Sequence, residues 1–244
     1  MSSLLQIENL KGGYTHKNVL HGISFDVKPG EIIGLIGLNG AGKSTTIKHI
    51  IGLMEPREGE IRLSGYRNQS DTEAFRNQFG YIPETPLLYE ELNLYEHLKL
   101  TAMAYDIDQE TFDERLPRLL KIFRLEKQIN WFPIHFSKGM KQKVMIMCAF
   151  LIDPPLYIID EPFVGLDPLA IQALLDQMIE VKEQGAGILM STHILATAER
   201  YCDRFVILHE GEIRASGTIE ELRAQFKMPT STLDDLYLQL TKEG

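Results

Sequence analysis

Cysteine, long apolar runs and basic residues are all in short supply in this chain, and each shortage closes off a class of protein. The cysteines are Cys148 and Cys202, two in 244 residues. They lie far apart and make no C-x-x-C, which excludes a disulfide scaffold and a cysteine-rich zinc site, and such usage fits a reducing compartment. The longest purely apolar run, residues 144–152, is about half of the ~20 residues a membrane-spanning helix needs. Nothing in the sequence is therefore expected to cross a bilayer unaided. Lys and Arg number 25 against 34 Asp and Glu, a net charge of −9. Proteins that wrap a phosphate backbone carry a basic excess, so nucleic acid is not an expected partner. The first residues lack a charged segment followed by an apolar one, so no secretory leader is expected. No internal repeat or low-complexity tract is present.

What is there is ordinary globular material. Hydrophobic residues make up 44% and charged residues 24%, which excludes wholesale disorder. The length allows one large domain or two small ones with a real core. Residues 4–10 and 19–27 alternate like strands, and Lys28-Pro29-Gly30 is a turn signal. Residues 31–37 form a compact apolar run ending in glycine. Residues 44–54 have helical spacing, with Glu55-Pro56 as the expected stop. Strands recur at 60–63 and 79–82. Over 88–126 the apolar residues keep helical periods (Leu92, Tyr95, Leu98; then Phe112, Leu116, Leu119, Leu120, Phe123), a helical insert in an otherwise α/β chain. A helix over 137–151, a buried strand over 156–160, a helix over 168–183, and strands over 187–191 and 205–208 follow. Strands alternating with helices argue an α/β fold with a mostly parallel sheet covered on both faces. Thr218-Ile219-Glu220-Glu221 is a capping box, so a helix opens the tail.

Two motifs carry chemistry. Gly37-Leu38-Asn39-Gly40-Ala41-Gly42-Lys43-Ser44 fits G-x-x-x-x-G-K-[ST], follows a buried strand and opens a helix, the context of a P-loop. Its glycines let backbone N–H groups turn inward on phosphate oxygens, and the helix N-terminus adds partial positive charge. Lys43 is placed for the β/γ-phosphates and Ser44 for Mg²⁺, with Thr45 next in the nucleotide-binding set. Asp160-Glu161 ends the second buried strand, where ligands bind in an open parallel sheet. Asp160 fits the metal side of a P-loop site, and Glu161 fits a general base acting on water.

These and further segments resemble the ATP-binding-cassette (ABC) ATPases. Phe136-Ser137-Lys138-Gly139-Met140-Lys141-Gln142-Lys143 is similar to their L-S-G-G-Q signature, Gly165-Leu166-Asp167 to their D-loop, His193 to their switch histidine and Tyr14 to their adenine-stacking aromatic. The order and spacing match over nearly the whole chain. The variant signature, with Tyr81-Ile82-Pro83-Glu84-Thr85-Pro86, looks most like ATPase subunits of ABC-2-type exporters, the Ecs-type subunits of Gram-positive bacteria among them. Two departures stand out. The family usually has Gln where Glu84 stands, at the Mg²⁺ or attacking water. Glu84 still offers oxygen, but as an acceptor-only carboxylate with one more negative charge. The signature keeps Ser137 and Gly139 while Lys138 adds a cation and Met140 removes an amide.

The resemblance implies a P-loop NTPase of ABC ATPase type: a core over 1–84 and 151–217 with an N-terminal antiparallel β part, a helical subdomain over about 85–150, and a helical tail over 218–244. It implies an ATPase using ATP and Mg²⁺, with Glu161, His193 and Lys43 catalytic and Ser44, Glu84 and Asp160 on the metal. It implies two subunits, alike or different, each ATP lying between one subunit's Lys43, Asp160 and Glu161 and the other's Ser137 and Gly139. A transmembrane permease on a separate chain would then hold the protein at the cytoplasmic face of the cell membrane, docking near 83–89. The alternative is a soluble ABC-type ATPase acting on a non-membrane partner.

Overall fold

The computed structural model describes residues 3–14 and 16–242. Met1 and Ser2, at the start of the segment expected to carry no secretory leader, lie outside the described residues. In chain order the elements are β1 (Leu5–Gly12), β2 (Leu20–Val27), β3 (Ile32–Ile36), α1 (Lys43–Ile50), β4 (Glu58–Leu63), β5 (Tyr66–Arg67), α2 (Thr72–Arg76), β6 (Phe79–Ile82), α3 (Leu94–Ala104) and α4 (Gln109–Phe123). After them come α5 (Lys138–Ile152), β7 (Leu156–Asp160), α6 (Pro168–Glu183), β8 (Gly187–Thr192), α7 (Leu195–Tyr201), β9 (Arg204–His209), β10 (Glu212–Gly217), α8 (Ile219–Gln225) and α9 (Leu233–Lys242).

The strands form two sheets. The smaller has the order β2-β1-β4-β5 and is antiparallel. The larger has the order β10-β9-β3-β8-β7-β6 and is parallel except for the β9–β10 pair. Every residue of β3, β7 and β8 is buried, which is why these strands read as unbroken apolar runs rather than alternating ones. Their side chains still alternate between faces. Ile33, Leu35, Ile158 and Leu189 pack with Ile47 and Ile50 of α1 and with Ile7 and Leu20 of the small sheet. Ile32, Tyr157, Ile159 and Met190 pack on the other face with Leu98, Phe112, Val144 and Leu174 of the helices. A third cluster joins Ile36, Phe205 and Ile207 to Leu222, Leu233, Leu236 and Tyr237 at the C-terminal end of the chain.

Local chemistry sets the ends of the elements. Ser137, Asp167 and Thr218 cap α5, α6 and α8 with side-chain oxygens, and Glu221 completes the expected capping box. The helical stretch expected over 88–126 divides into α3 and α4. Asp106 has a left-handed φ of 53° and Asp108 caps α4 anew. The helix expected to run to Glu55-Pro56 instead stops with α1 at Ile50, because Gly52 takes a left-handed φ of 77°. Among the described residues no helix is long and apolar enough to cross a membrane.

The register decides where the site lies. Ile36 pairs with Thr192, Asp160 with Ser191 and Ile82 with Ile159. The carboxyl ends of β3, β6, β7 and β8 are thereby brought level, so Gly37, Glu84, Glu161 and His193 leave the sheet along one edge.

Candidate active site

The P-loop wraps the start of α1. A Cβ on Gly37 would come within 2.7 Å of the Leu208 carbonyl oxygen, so only glycine lets the loop leave β3 so close to β9. Gly42, with φ of 112° and no side chain, stands at the helix N-cap. The N–H groups of the first turn are left for an anion. Lys43 is 5% exposed. Its Nζ donates to the Gly37 carbonyl at 2.7 Å and lies 3.5 Å from Glu161 Oε1.

Glu161 is the hub. Its Oε2 meets His193 Nδ1 at 2.8 Å and accepts the His193 N–H at 3.3 Å. Its own N–H donates to the Ser191 carbonyl at 3.1 Å and to Ser191 Oγ at 3.2 Å. The backbone reaches this position through a left-handed φ of 45°, which costs a non-glycine residue about 1–2 kcal/mol. The strain turns the carboxylate away from the strand and toward Lys43 and His193. Asp160, one residue earlier, stays beneath. It is 5% exposed and accepts a hydrogen bond from Ser191 Oγ. Burial raises its pKa, the Ser191 hydroxyl opposes the shift, and the charges of Glu84 and Glu161 add to it.

The cleft above these groups has a volume of about 460 Å³ and is lined by Tyr14, Val19, Leu38, Asn39, Gly40, Gly42, Lys43, Ser44, Thr45, Glu84, Glu161 and His193. Of the residues expected from sequence, Gly37 and Ala41 shape the loop from behind and Asp160 lies under the floor. Ser137 and Gly139 are not in the cleft. They sit at the start of α5, where a Cβ on Gly139 would meet the Gly165 carbonyl oxygen at 2.4 Å. Tyr14 stands at the mouth, half exposed. Lys48 donates to its hydroxyl at 2.9 Å and lies 5.2 Å from the ring centre, and that hydrogen bond lowers the phenol pKa.

Sequence reasoning gave no role to three groups that hold the site. Ser191 ties β8 to both Asp160 and Glu161. Gln142 of α5, fully buried, donates to the Pro83 carbonyl at 2.9 Å and so fixes the turn that carries Glu84. Tyr237 bonds the P-loop itself. Among the described residues no three His, Cys, Asp or Glu side chains stand close enough together to cage a metal. The oxygens of Ser44, Glu84 and Asp160 suit Mg²⁺ all the same, since that ion is usually held by one or two carboxylates together with substrate phosphate and water.

A glycine loop at a helix N-terminus, a lysine inside it and carboxylates at the carboxyl edge of a parallel sheet define a P-loop NTPase. Residues 20–164 match the ABC transporter family model, and the chain belongs to that family. It is 67% identical over 241 residues to the ABC-type transporter ATP-binding protein EcsA of Bacillus subtilis (strain 168), covering 99% of this chain and 98% of that protein. A solved ATP-binding subunit of an ABC transporter superposes with a TM-score of 0.96 at 64% identity, over 98% of this chain and 100% of the other. A dimeric ATP-binding cassette bound to ADP and Pi shares the fold, with a TM-score of 0.79 at 24% identity over 88% of this chain and 98% of that one. The expected class, an ATP-binding and ATP-hydrolysing transporter subunit, is the class of this family.

Proposed function

We propose that this chain binds Mg·ATP in the cleft and hydrolyses it at a site completed by a second ATPase subunit, driving a separate membrane permease. The observation that carries this reading is the Lys43–Glu161–His193 chain of contacts at the lip of the P-loop. Lys43 exchanges its bond to Gly37 and its contact with Glu161 for the β/γ-phosphates, leaving Glu161 Oε1 open to a water. Glu161 takes the proton of that water, and His193 holds the carboxylate in line through Oε2. Tyr14 stacks on the base at the mouth. Ser44, Asp160 and Glu84 supply oxygens to Mg²⁺, which neutralises phosphate charge when bound.

Ser137 and Gly139 of a second subunit cover the γ-phosphate. The start of α5 favours an anion, being a helix N-terminus with Lys138 and Lys141 in its first turn. Closing on ATP and reopening after hydrolysis is then a ligand-driven two-state change. The core and helical subdomain expected from sequence are the two bodies that move. The permease docks beside Glu84. Leu87 is 79% and Tyr89 63% exposed there, whereas Leu88 is partly packed on the core. A net charge of −9 is repelled by anionic lipid, so the permease rather than lipid holds the chain at the cytoplasmic face. The likeness of residues 136–143 to exporter ATPases supports outward transport.

Glu161→Gln tests the mechanism. It keeps ATP binding, lowers turnover by roughly 10²–10⁴-fold and accumulates an ATP-bound dimer on size-exclusion chromatography. Near wild-type turnover contradicts the assignment.

A further inference from the structure

The C-terminal helix reaches the phosphate loop. The N–H of Leu38 donates to the hydroxyl of Tyr237 at 2.9 Å, joining residues 199 positions apart. The Leu38 carbonyl accepts the Ala41 N–H at 3.0 Å and lies 3.5 Å from Lys43 Nζ. One residue, Leu38, is thus held by α9 through its N–H and meets the loop turn and its lysine through its carbonyl. Tyr237 is 6% exposed and packs with Leu233 and Leu236 against Ile36 and Phe205, at β3 and β9. Burial raises the pKa of this phenol, with the Leu38 N–H opposing, so a neutral hydroxyl is the acceptor near pH 7.

The first turn of α9 is pinned elsewhere. Leu233 N–H donates to Glu199 Oε2 of α7 at 2.8 Å. Arg223 of α8 binds Glu199 Oε1 at 3.0 Å and the Ser231 carbonyl at 2.8 Å. Helix α7 begins two residues after His193. Helix α9 therefore spans from the P-loop to the helix that follows the His193 loop, and Gly37, Leu38, His193, Asp234 and Tyr237 share a cavity of about 290 Å³ between them.

We propose that Tyr237 is a positioning residue for nucleotide binding: its hydroxyl holds the Leu38–Asn39–Gly40 turn in the shape that accepts phosphate, while α9 sets the spacing of that turn from His193. The inference rests on the P-loop reading above. Removing the hydroxyl leaves the Leu38 N–H without this acceptor and lets the turn relax before nucleotide arrives. Bound phosphate pulls it back, so the cost falls on binding and not on the bound complex.

The test compares Tyr237→Phe with Leu240→Ala and Lys43→Ala in the full chain. Leu240 is partly buried in the same cluster. Tyr237→Phe raises the Kd for a fluorescent ATP analogue, and the KM for ATP, roughly two- to tenfold with kcat unchanged, the range of one neutral hydrogen bond. Leu240→Ala lowers the melting temperature and leaves Kd unmoved. The inference is overturned if Tyr237→Phe binds as wild type while Lys43→Ala does not, or if Leu240→Ala weakens binding as much as Tyr237→Phe does. Binding indifferent to Lys43→Ala overturns the P-loop reading and this inference together.

Discussion

At the start of α1, Gly42 leads into Lys43 and Ser44; at the start of α5, Ser137 leads into Lys138 and Gly139. Both are helix N-termini with glycine and cationic neighbours, and both suit an anion. Their settings differ. The α1 end is enclosed: Lys43 is buried, bonded to Gly37 and close to Glu161, and a cleft opens over it. The α5 end is exposed. Ser137 Oγ is turned back on the Met140 N–H of its own helix at 3.2 Å. Lys141 and Lys143 are answered by Glu90 and Asp167 at 3.3 and 3.1 Å. Lys138 and Lys141 lie in the first turn of α5, where a cation runs against the helix dipole by about 0.3–1 kcal/mol. One end is furnished by its own chain, while the other holds positive field with no phosphate-binding loop of its own. This contrast supports the proposal that the site is divided between chains.

The strongest way to break that comparison is to disable the ends separately. Lys43→Ala removes the buried cation of the α1 end, so a fluorescent ATP analogue binds far more weakly. Ser137→Arg leaves that binding intact, costs about 1 kcal/mol of stability through the lost cap, and abolishes hydrolysis. Mixing the two dead chains then restores turnover, to at most about a quarter of wild type, because a mixed pair in an isologous dimer holds one intact site. A mixture as dead as its parts shows that the ends do not meet across chains.

Leu87 carries the comparison to the permease. It follows Pro83, whose carbonyl is bonded to Gln142 of α5, by four residues, and it is exposed. Leu87→Asp places a charge on an exposed apolar position and should release the chain from membranes when it is co-expressed with its permease. ATP binding at the α1 end should not change. Retained membrane association with full transport moves the docking surface elsewhere.

How much of this was legible in the sequence depends on the distance between partners. The P-loop, Asp160 and Glu161 are local: a strand, a turn and a helix start follow each other within a few residues, and each leaves its own pattern. The stop of α1 at Gly52 was missed because Glu55-Pro56 is the louder signal, while a glycine's left-handed turn is set by its surroundings. Helix α7 and strand β10 are short, and no expectation was raised for them. Ser191 reads as one more residue of a buried strand until β7 is laid beside β8. Gln142 lay inside the signature segment but has no meaning without Pro83, 59 positions away. Tyr237 reads as one apolar residue of a tail helix, since nothing near it in sequence mentions the loop it bonds.

A smaller effect separates function from stability inside the enclosed half. Burial, with Glu84 and Glu161 nearby, raises the Asp160 pKa above its unfolded value. A carboxyl so shifted stabilises the fold while protonated, below its unfolded pKa, and loses that contribution as pH rises through the folded pKa. Above that range the carboxylate is a net cost. Asp160→Asn keeps an oxygen for the Ser191 hydroxyl and drops the charge. It should melt higher than wild type at pH 7 without nucleotide, with the gap closing as pH falls, while hydrolysis is lost. A lower melting temperature at every pH contradicts the account.

The smallest effect is expected at Glu84, which joins the two halves: it lines the cleft beside α1, and its turn is anchored to α5 through Pro83 and Gln142. As a carboxylate it adds negative charge where Asp160, Glu161 and the γ-phosphate already gather. Being exposed, it acts through a high effective dielectric, so the repulsion is modest. As an oxygen donor it is matched by glutamine, which keeps an acceptor and loses the charge. Glu84→Gln should therefore keep hydrolysis, shift the Asp160 pKa back toward its ordinary value, and reduce the salt dependence of ATP affinity. Breaking the anchor instead, with Gln142→Leu, should leave ATP affinity in place and lower turnover, because the cleft keeps its α1 side while the turn bearing Glu84 loses its tie to α5. If Glu84→Gln abolishes hydrolysis and Gln142→Leu does nothing, the carboxylate itself is chemically engaged and the Pro83–Gln142 bond is not what links the two halves.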